Sequence, residues 1–441
     1  MPSSCHTKSE STRSFDNGCA KYSTGRGGTR LFDTFDHYLS YGAADQQTAR
    51  ELTGDYDGLL VPGTVAAFQK DGTKGFVLTL SASPASPPRY VIDPRFPLFH
   101  QALSRPKKSH ISLAEVLGDP GLVSGFEFDP EEFETGRLQN IATHWVQFNL
   151  GYTELNSKHF DKYAQRLGEA VVSEDATLPE AILPPYLMAS STDDPRWTIS
   201  SELWRLTQEE LAARSAQVPA FRVVAAETAP ALEGLLASAP ESRVVIWVDS
   251  LDELQVDLAG RARLVAYGRA IRAASQSGKK MFALYGGYFA VLLGSVGLNG
   301  CSHGIGFGEN RAYVELPNSG PPPARYYLPA VHKYISQDLA QYLYLYAPAL
   351  LDCTCRECAD LGPGDLDYHS LMKHSVHARA NEVRAASGKS AATLADELAD
   401  SARFIARTLS SVGFPKNLDR QVQTLYSHLD PWAACLREIA D

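Results

Sequence analysis

From residue 181 to residue 311 the chain repeats one unit, an apolar run of strand length followed by a stretch of helical period. "AILPPYLMAS" precedes a helix around 200–215, "FRVVAAE" precedes "APALEGLLAS", and "SRVVIWVDS" precedes "LAGRARLVAYGRAIRAAS". "KKMFALYGGYFAVLLGSVGLNGCSHGIGFGENR" then reads as a strand, a Gly-Gly turn, a helix and a last strand ending in glycines. Strands that are apolar at successive positions are buried on both faces, and parallel neighbours need a crossover between them. The repeat therefore argues for βαβ units and against a sandwich. Upstream, "GLLVPG" (58–63), "GFVLTL" (75–80) and "RYVIDP" (89–94) are the first strand candidates, and a helical region spans about 130–172. Together they predict a (β/α)8 TIM-type barrel over residues 31–314 with a helical insertion around 109–175. A doubly wound open sheet is the alternative.

The flanks differ from this core. Residues 1–30 are polar, rich in Ser, Gly and Thr, and lack the apolar centre of a secretion signal, so they predict a disordered tail. No window approaches the ~18 apolar residues of a membrane span. A soluble, cytoplasmic protein without membrane association is expected. "ELPNSGPPPARYY" (315–327) is a proline-rich break, and residues 315–441 behind it predict a mostly helical region. The formal net charge of −10 gives no global field to attract a polyanion, and "RPKKSH" (105–110) is the one short basic candidate we single out.

Three of the seven cysteines, Cys353, Cys355 and Cys358, fall within six positions, which suits a metal site in a reducing compartment better than a disulfide framework. The spacing is C-x-C-x2-C, then fifteen residues, then His374. Thiolates this close can converge on one tetrahedral ion, with a fourth ligand from the following helix. Three sulfurs and a nitrogen favour Zn2+, in a closed shell whose role is structural. His374 and His377 would share a helix face and His369 lies nearer the helix start, so spacing leaves the fourth ligand open among them.

This segment, placed just after the last predicted barrel strand, resembles the tRNA-guanine transglycosylases, particularly their archaeosine branch and the relatives that put 7-deazaguanines into DNA. In that branch the zinc histidine opens a helix of the form H-N-L-x5-E-I, followed by a Gly and a Leu-rich helix. "HSVHARANEV" (374–383), with Glu382 and Val383 in the last two places, and "GKSAATLADEL" (388–398) fit that pattern. The resemblance implies His374 as the fourth ligand. It also implies a pentosyltransferase that exchanges a guanine-type base for a 7-deazaguanine in tRNA or DNA. Its partners would be the nucleic acid, a guanine or 7-deazaguanine base, and further subunits of like or unlike kind. The family's D-S-G-G-F-Q-x-F strand corresponds to "VIDPRFPLFHQ", which keeps Asp93 without the two glycines. The strands that offer the base a Gln and a Gly-Gly pair correspond to "FRVVAAE" and "SRVVIWVDS", which carry neither. Where the last strand should present the nucleophilic aspartate, this chain has Cys301, Ser302 and His303.

Catalytic candidates follow from the chemistry. Base exchange needs a carboxylate at C1′ and a second group to manage protons on the leaving base. Asp93 and Asp249 each follow an apolar strand, where barrel chemistry collects. Asp93 before Pro94 could equally start a turn, and Asp249 or Asp252 could cap the next helix. Asp252 is otherwise a substrate-binding candidate, and Asp249 the substitute nucleophile. Gly286 and Gly287 before a helix could cradle a phosphate, as could "GIGFGEN". His303 would act on a base or phosphate if it points into the barrel mouth. Tyr342 and Tyr346, four apart, predict a packed helix face. The rival to an enzyme is a non-catalytic paralogue that binds nucleic acid or a partner subunit. A third reading is a phosphate-binding barrel enzyme acting on a free metabolite.

Overall fold

Seven parallel strands form the central sheet: β1 (Asp36–Ser40), β2 (Gly58–Pro62), β3 (Arg89–Asp93), β4 (Arg222–Ala226), β5 (Arg243–Val248), β6 (Lys280–Ala283) and β7 (Leu298–Gly304), in the order β3-β2-β1-β7-β6-β5-β4. The computed structural model describes residues 31–42, 45–84, 88–125, 135–154, 157–306, 308–313, 324–359 and 361–441. The predicted tail and most of the proline-rich break lie outside them. Helices Lys108–Val116, Thr135–Leu150 and Ser157–Leu167 occupy the predicted insertion between β3 and β4.

The sheet is curled rather than flat, and the eighth strand expected at "AILPPYLMAS" does not form among the described residues. In its place, Ile182 makes single parallel bridges to Ile92 of one edge strand and to Ala220 just before the other, and Ala189 bridges Ala226. The tandem prolines Pro184 and Pro185 are the physical reason. They carry no N–H, so a continuous ladder cannot run through them.

Strand alternation sorts the side chains into two cores. Tyr38, Leu60, Val91, Val223, Val245, Trp247 and Phe282 fill the inner face of the curl with Leu183 and Tyr186 of the linking segment. Leu39, Leu59, Ile92, Val224, Ile246 and Met281 face outward under the helices. At the N-terminal end of the strands the cup is plugged by ions: Arg89 lies 2.5 Å from Asp36 and 3.2 Å from Glu180, and the Tyr38 hydroxyl donates to Glu180 at 2.6 Å. Burial pushes the Asp36 carboxyl up to about 6 despite the arginine.

Two local expectations are corrected. "GFVLTL" belongs to the helix Lys70–Ser81, not to a strand. Phe76, Val77, Leu78, Thr79 and Leu80 are all buried, so the run is buried on every side and carries no periodicity that would separate a helix from a strand. The first strand is instead "DHYLS", which has no apolar pattern because polar residues fill three of its five positions, although all but Ser40 are buried. The C-terminal region is helical as expected but opens with a two-stranded antiparallel hairpin, β8 (Arg325–Leu328) and β9 (Lys333–Ser336). Helices Gln337–Tyr346, Tyr368–Ala386, Ala391–Leu409 and Leu429–Ala440 follow. The last of these is fastened to the loop after β5 by the Trp432 indole N–H, which donates to the Glu253 carbonyl at 2.8 Å.

Candidate functional site

The cysteine loop and the helix behind it make a metal cradle. The helix Tyr368–Ala386 starts at Asp367, whose side chain accepts from the Ser370 N–H at 2.7 Å, and this start sets which side chains face the loop. His374 Nδ1 lies 3.4 Å from the sulfur of Cys353, 3.5 Å from that of Cys355 and 3.3 Å from that of Cys358. All four ligand atoms lie within 4.8 Å of one another. A tetrahedral ion with Zn–S of ~2.3 Å and Zn–N of ~2.0 Å separates nitrogen from sulfur by about 3.5 Å, so the cradle has the dimensions of such a site. His374 Nε2 donates to the Tyr327 carbonyl at 2.6 Å, which leaves the Nδ1 lone pair facing the sulfurs. The Tyr326 ring stacks on the imidazole with centroids 4.3 Å apart. His377 points elsewhere, to Asp55 at 3.4 Å, and His369 is outside the group. Geometry thus selects His374 where spacing left three histidines.

A second constellation lies on the inner face at the C-terminal ends of the strands. Asp93 follows the inward-facing Val91 by two residues and is fully buried. Its Oδ1 accepts from the Tyr186 hydroxyl at 2.8 Å and from the Arg95 N–H at 3.0 Å, and its Oδ2 accepts from the Tyr285 hydroxyl at 3.1 Å. Arg95 Nη1 donates to the same Tyr285 oxygen at 3.2 Å. The Arg311 guanidinium carbon stands 5.4 Å over the Tyr285 ring. Asp93 does receive the N–H two residues on, as a turn-forming Asp would, but two phenols from distant segments meet it as well. Asp249 lies just past β5, in alternation with the inward-facing Val245 and Trp247. Its carboxylate accepts from the Tyr313 N–H at 2.8 Å and the Ser250 hydroxyl at 3.1 Å, and burial raises its pKa.

His303 is not part of this constellation. Its neighbour across the ladder is the outward-facing Leu39, and its Nε2 meets that of His37 at 2.6 Å behind the sheet. Burial pushes His37 down to about 3 and His303 well below its usual range. Cys301 also faces outward, its thiol pushed up to about 12 by burial. Ser302 does face inward, but its hydroxyl donates to the Leu284 carbonyl and lies 3.1 Å from Ser40 Oγ.

The Gly-Gly turn is already occupied by an anion of the chain itself. Glu253 accepts from the N–H groups of Gly287 at 2.7 Å, Phe289 at 2.8 Å and Ala290 at 3.3 Å. A Cβ at Gly287 would stand 2.6 Å from Glu253 and 2.9 Å from Glu309, so these glycines admit carboxylates where a phosphate was expected. Burial, with Glu309 adding to it, pushes Glu253 up to about 7. Neither Asp249 nor Asp252 caps the next helix. Leu258–Gln276 is capped by Asp257, which accepts from the Gly260 N–H at 2.8 Å, while Asp252 accepts from Leu254 N–H in a local turn. The Tyr342 and Tyr346 rings meet with centroids 4.5 Å apart, as their spacing implies, but Tyr342 packs on Phe414 and Tyr346 is exposed.

Sequence reasoning missed Arg95, Tyr186, Tyr285 and Arg311 as site residues, and also the buried Arg379, which pairs with Glu309 and with Glu382. The one available signal was position: Arg95 lies two residues beyond Asp93, Tyr285 lies just past the end of β6, and Arg311 lies on the loop that follows β7. No helix among the described residues is long and apolar enough to cross a membrane. Comparison with known proteins finds no family model and no curated sequence that matches this chain.

Proposed function

We propose that the chain exchanges a purine-type base at a ribose or deoxyribose C1′, in the manner of the transglycosylases that its cysteine segment resembles. The observation that carries this reading is Asp93, a carboxylate sunk at the inner-face end of β3 and gripped by two tyrosine hydroxyls. Loss of a base leaves positive charge on the sugar, and a fixed carboxylate in a water-poor pocket stabilises that charge far better than solvent does. Hydrogen bonds from Tyr186 and Tyr285 fix the carboxylate's orientation at no cost during reaction. Asp249, on the same inner face and with its pKa raised by burial, is the group we assign to carry a proton for the leaving base. In this reading the curled sheet works as a barrel, with segment 181–189 as its eighth wall, supported by the bridges of Ile182 to both sides. The Cys353, Cys355, Cys358 and His374 cradle holds zinc, which contributes folding energy and no reaction step.

The non-catalytic reading keeps one specific observation in its favour. On the last strand the inward position at the family's nucleophile is Ser302, tied to Leu284 and Ser40, and no carboxylate replaces it there. The two readings separate in one assay. Metal-loaded protein is given labelled guanine or 7-deazaguanine with tRNA, duplex DNA or a free guanosine nucleotide. Incorporation by the wild type, reduced roughly 100-fold in Asp93→Asn, supports exchange. Absence of incorporation by folded wild type into either polymer and into a free guanosine nucleotide alike would overturn exchange in favour of a binding subunit.

A further inference from the structure

Around Asp93 the charges do not balance. Arg95 is 2% exposed and adopts a left-handed backbone with φ of 53°, which sends its N–H to Asp93 and its side chain back into the cup. A guanidinium has five N–H donors. Among the described residues those of Arg95 find the Tyr285 hydroxyl at 3.2 Å and an Asp93 oxygen at 3.9 Å, the latter too long for a hydrogen bond. Arg311 faces the same tyrosine ring, and its guanidinium makes no ion pair or hydrogen bond with a described residue. The groups that act on Arg311 are Arg95, Tyr285, Asp93 and Tyr186, and the repulsion from Arg95 is the largest. Two cations thus converge on one carboxylate, with donors left over in a place where burial penalises an uncompensated charge.

We propose that Arg95 and Arg311 form a seat for an oxyanion, the terminal phosphate monoester of the ligand that binds beside Asp93. The planar forks of arginine match phosphate oxygens in pairs, and the spare donors and the excess positive charge are both satisfied by such a group. Depth favours a monoester. A group at the end of a molecule can reach a side chain that is 2% exposed, whereas a diester would have to thread a polymer through the same space. The inference rests on the proposed site and deepens it, because a base-exchange substrate carrying this group is a nucleoside 5′-phosphate. The phosphodiester of a nucleic acid shares the chemistry and is the alternative source.

Calorimetry on the full metal-loaded chain tests this without any turnover. The probes are inorganic phosphate, guanosine, guanosine 5′-monophosphate and a short oligonucleotide without terminal phosphates. The monophosphate should bind at least 10-fold more tightly than guanosine, and inorganic phosphate should compete with it. Arg311→Gln should remove most of that difference and leave guanosine binding unchanged. Asp93→Asn deletes the one carboxylate and should tighten inorganic phosphate several-fold, a gain that a merely damaged fold would not give. Equal affinity for guanosine and its monophosphate, no binding of either, or an Arg311→Gln variant that binds like wild type would overturn the seat. Binding of the oligonucleotide alone, dependent on Arg311, would overturn the monoester assignment. Failure of base incorporation into guanosine 5′-monophosphate as well as into either polymer, with phosphate binding intact, would sink the exchange reading and leave the seat standing.

Discussion

The metal cradle and the Asp93 pocket are both clusters of four or five chemically active side chains, yet they are assembled in opposite ways. The cradle takes three ligands from one short loop and the fourth from the next helix, with His374 only 16 to 21 positions from its cysteines. The pocket joins Asp93 to Tyr186, 93 positions away, and to Tyr285, 192 positions away. Closing a short loop costs little chain entropy, so a local cluster can be written into spacing. A distant one exists only after the sheet has set its order and register. The cradle should therefore respond to loss of its ion as a unit, whereas the pocket should lose function before it loses fold.

The largest effect expected is at the cradle. His374→Ala, or chelation of the wild type, should release the metal and lower Tm by something on the order of 10 °C. His377→Ala should keep a full complement, since His377 turns toward Asp55. Elemental analysis and thermal denaturation of both variants check this. Full metal in His374→Ala would break the local side of the comparison.

A smaller effect is expected from acid, and it reports on the long-range packing. Burial pushes His37, His100 and His428 each down to about 3, so all three are neutral when folded at ordinary pH. Unfolding lets them regain the usual histidine pKa of about 6.5. Between those values the unfolded chain binds more protons, so stability is complete above pH 6.5 and is lost progressively as pH falls toward 3. Tm measured against pH should slope downward through pH 6 to 5, and His428→Phe should flatten that slope. A profile level from pH 7 to pH 4.5 would mean these rings are charged or solvated.

The smallest effect concerns a helix start. Asp257→Ala removes the acceptor for the Gly260 N–H and should cost about 1 kcal/mol, while Asp252→Ala should stay within about 0.5 kcal/mol. Chemical denaturation of the pair measures this. Reversed magnitudes would mean that the helix begins earlier than Leu258.

How far the sequence could be read follows the same division. The parallel strand–helix succession from β4 to β7 was legible because buried parallel strands are apolar at successive positions and are separated by helices of the right length. "DHYLS" was not, because its polar residues are satisfied by partners far along the chain: Asp36 by Arg89, and His37 by His303. The Gly-Gly turn was legible as a turn. That Glu253 would fill it was not, since the loop carrying Glu253 belongs to a different strand.

The sequence by itself determined a parallel α/β core, a helical C-terminal region and a cluster of thiolates with a histidine behind it. Each of these depends on periodicity or short spacing, which a single stretch of chain contains. Only the tertiary structure decided that the sheet would curl with seven strands and a proline-broken segment between its edges. It also decided that His303 would face away from Asp93 and that Arg311 would meet Arg95 over Tyr285. The reason is that a strand residue's face alternates with every position, so register and strand order must be fixed before it is known which side chains share a pocket.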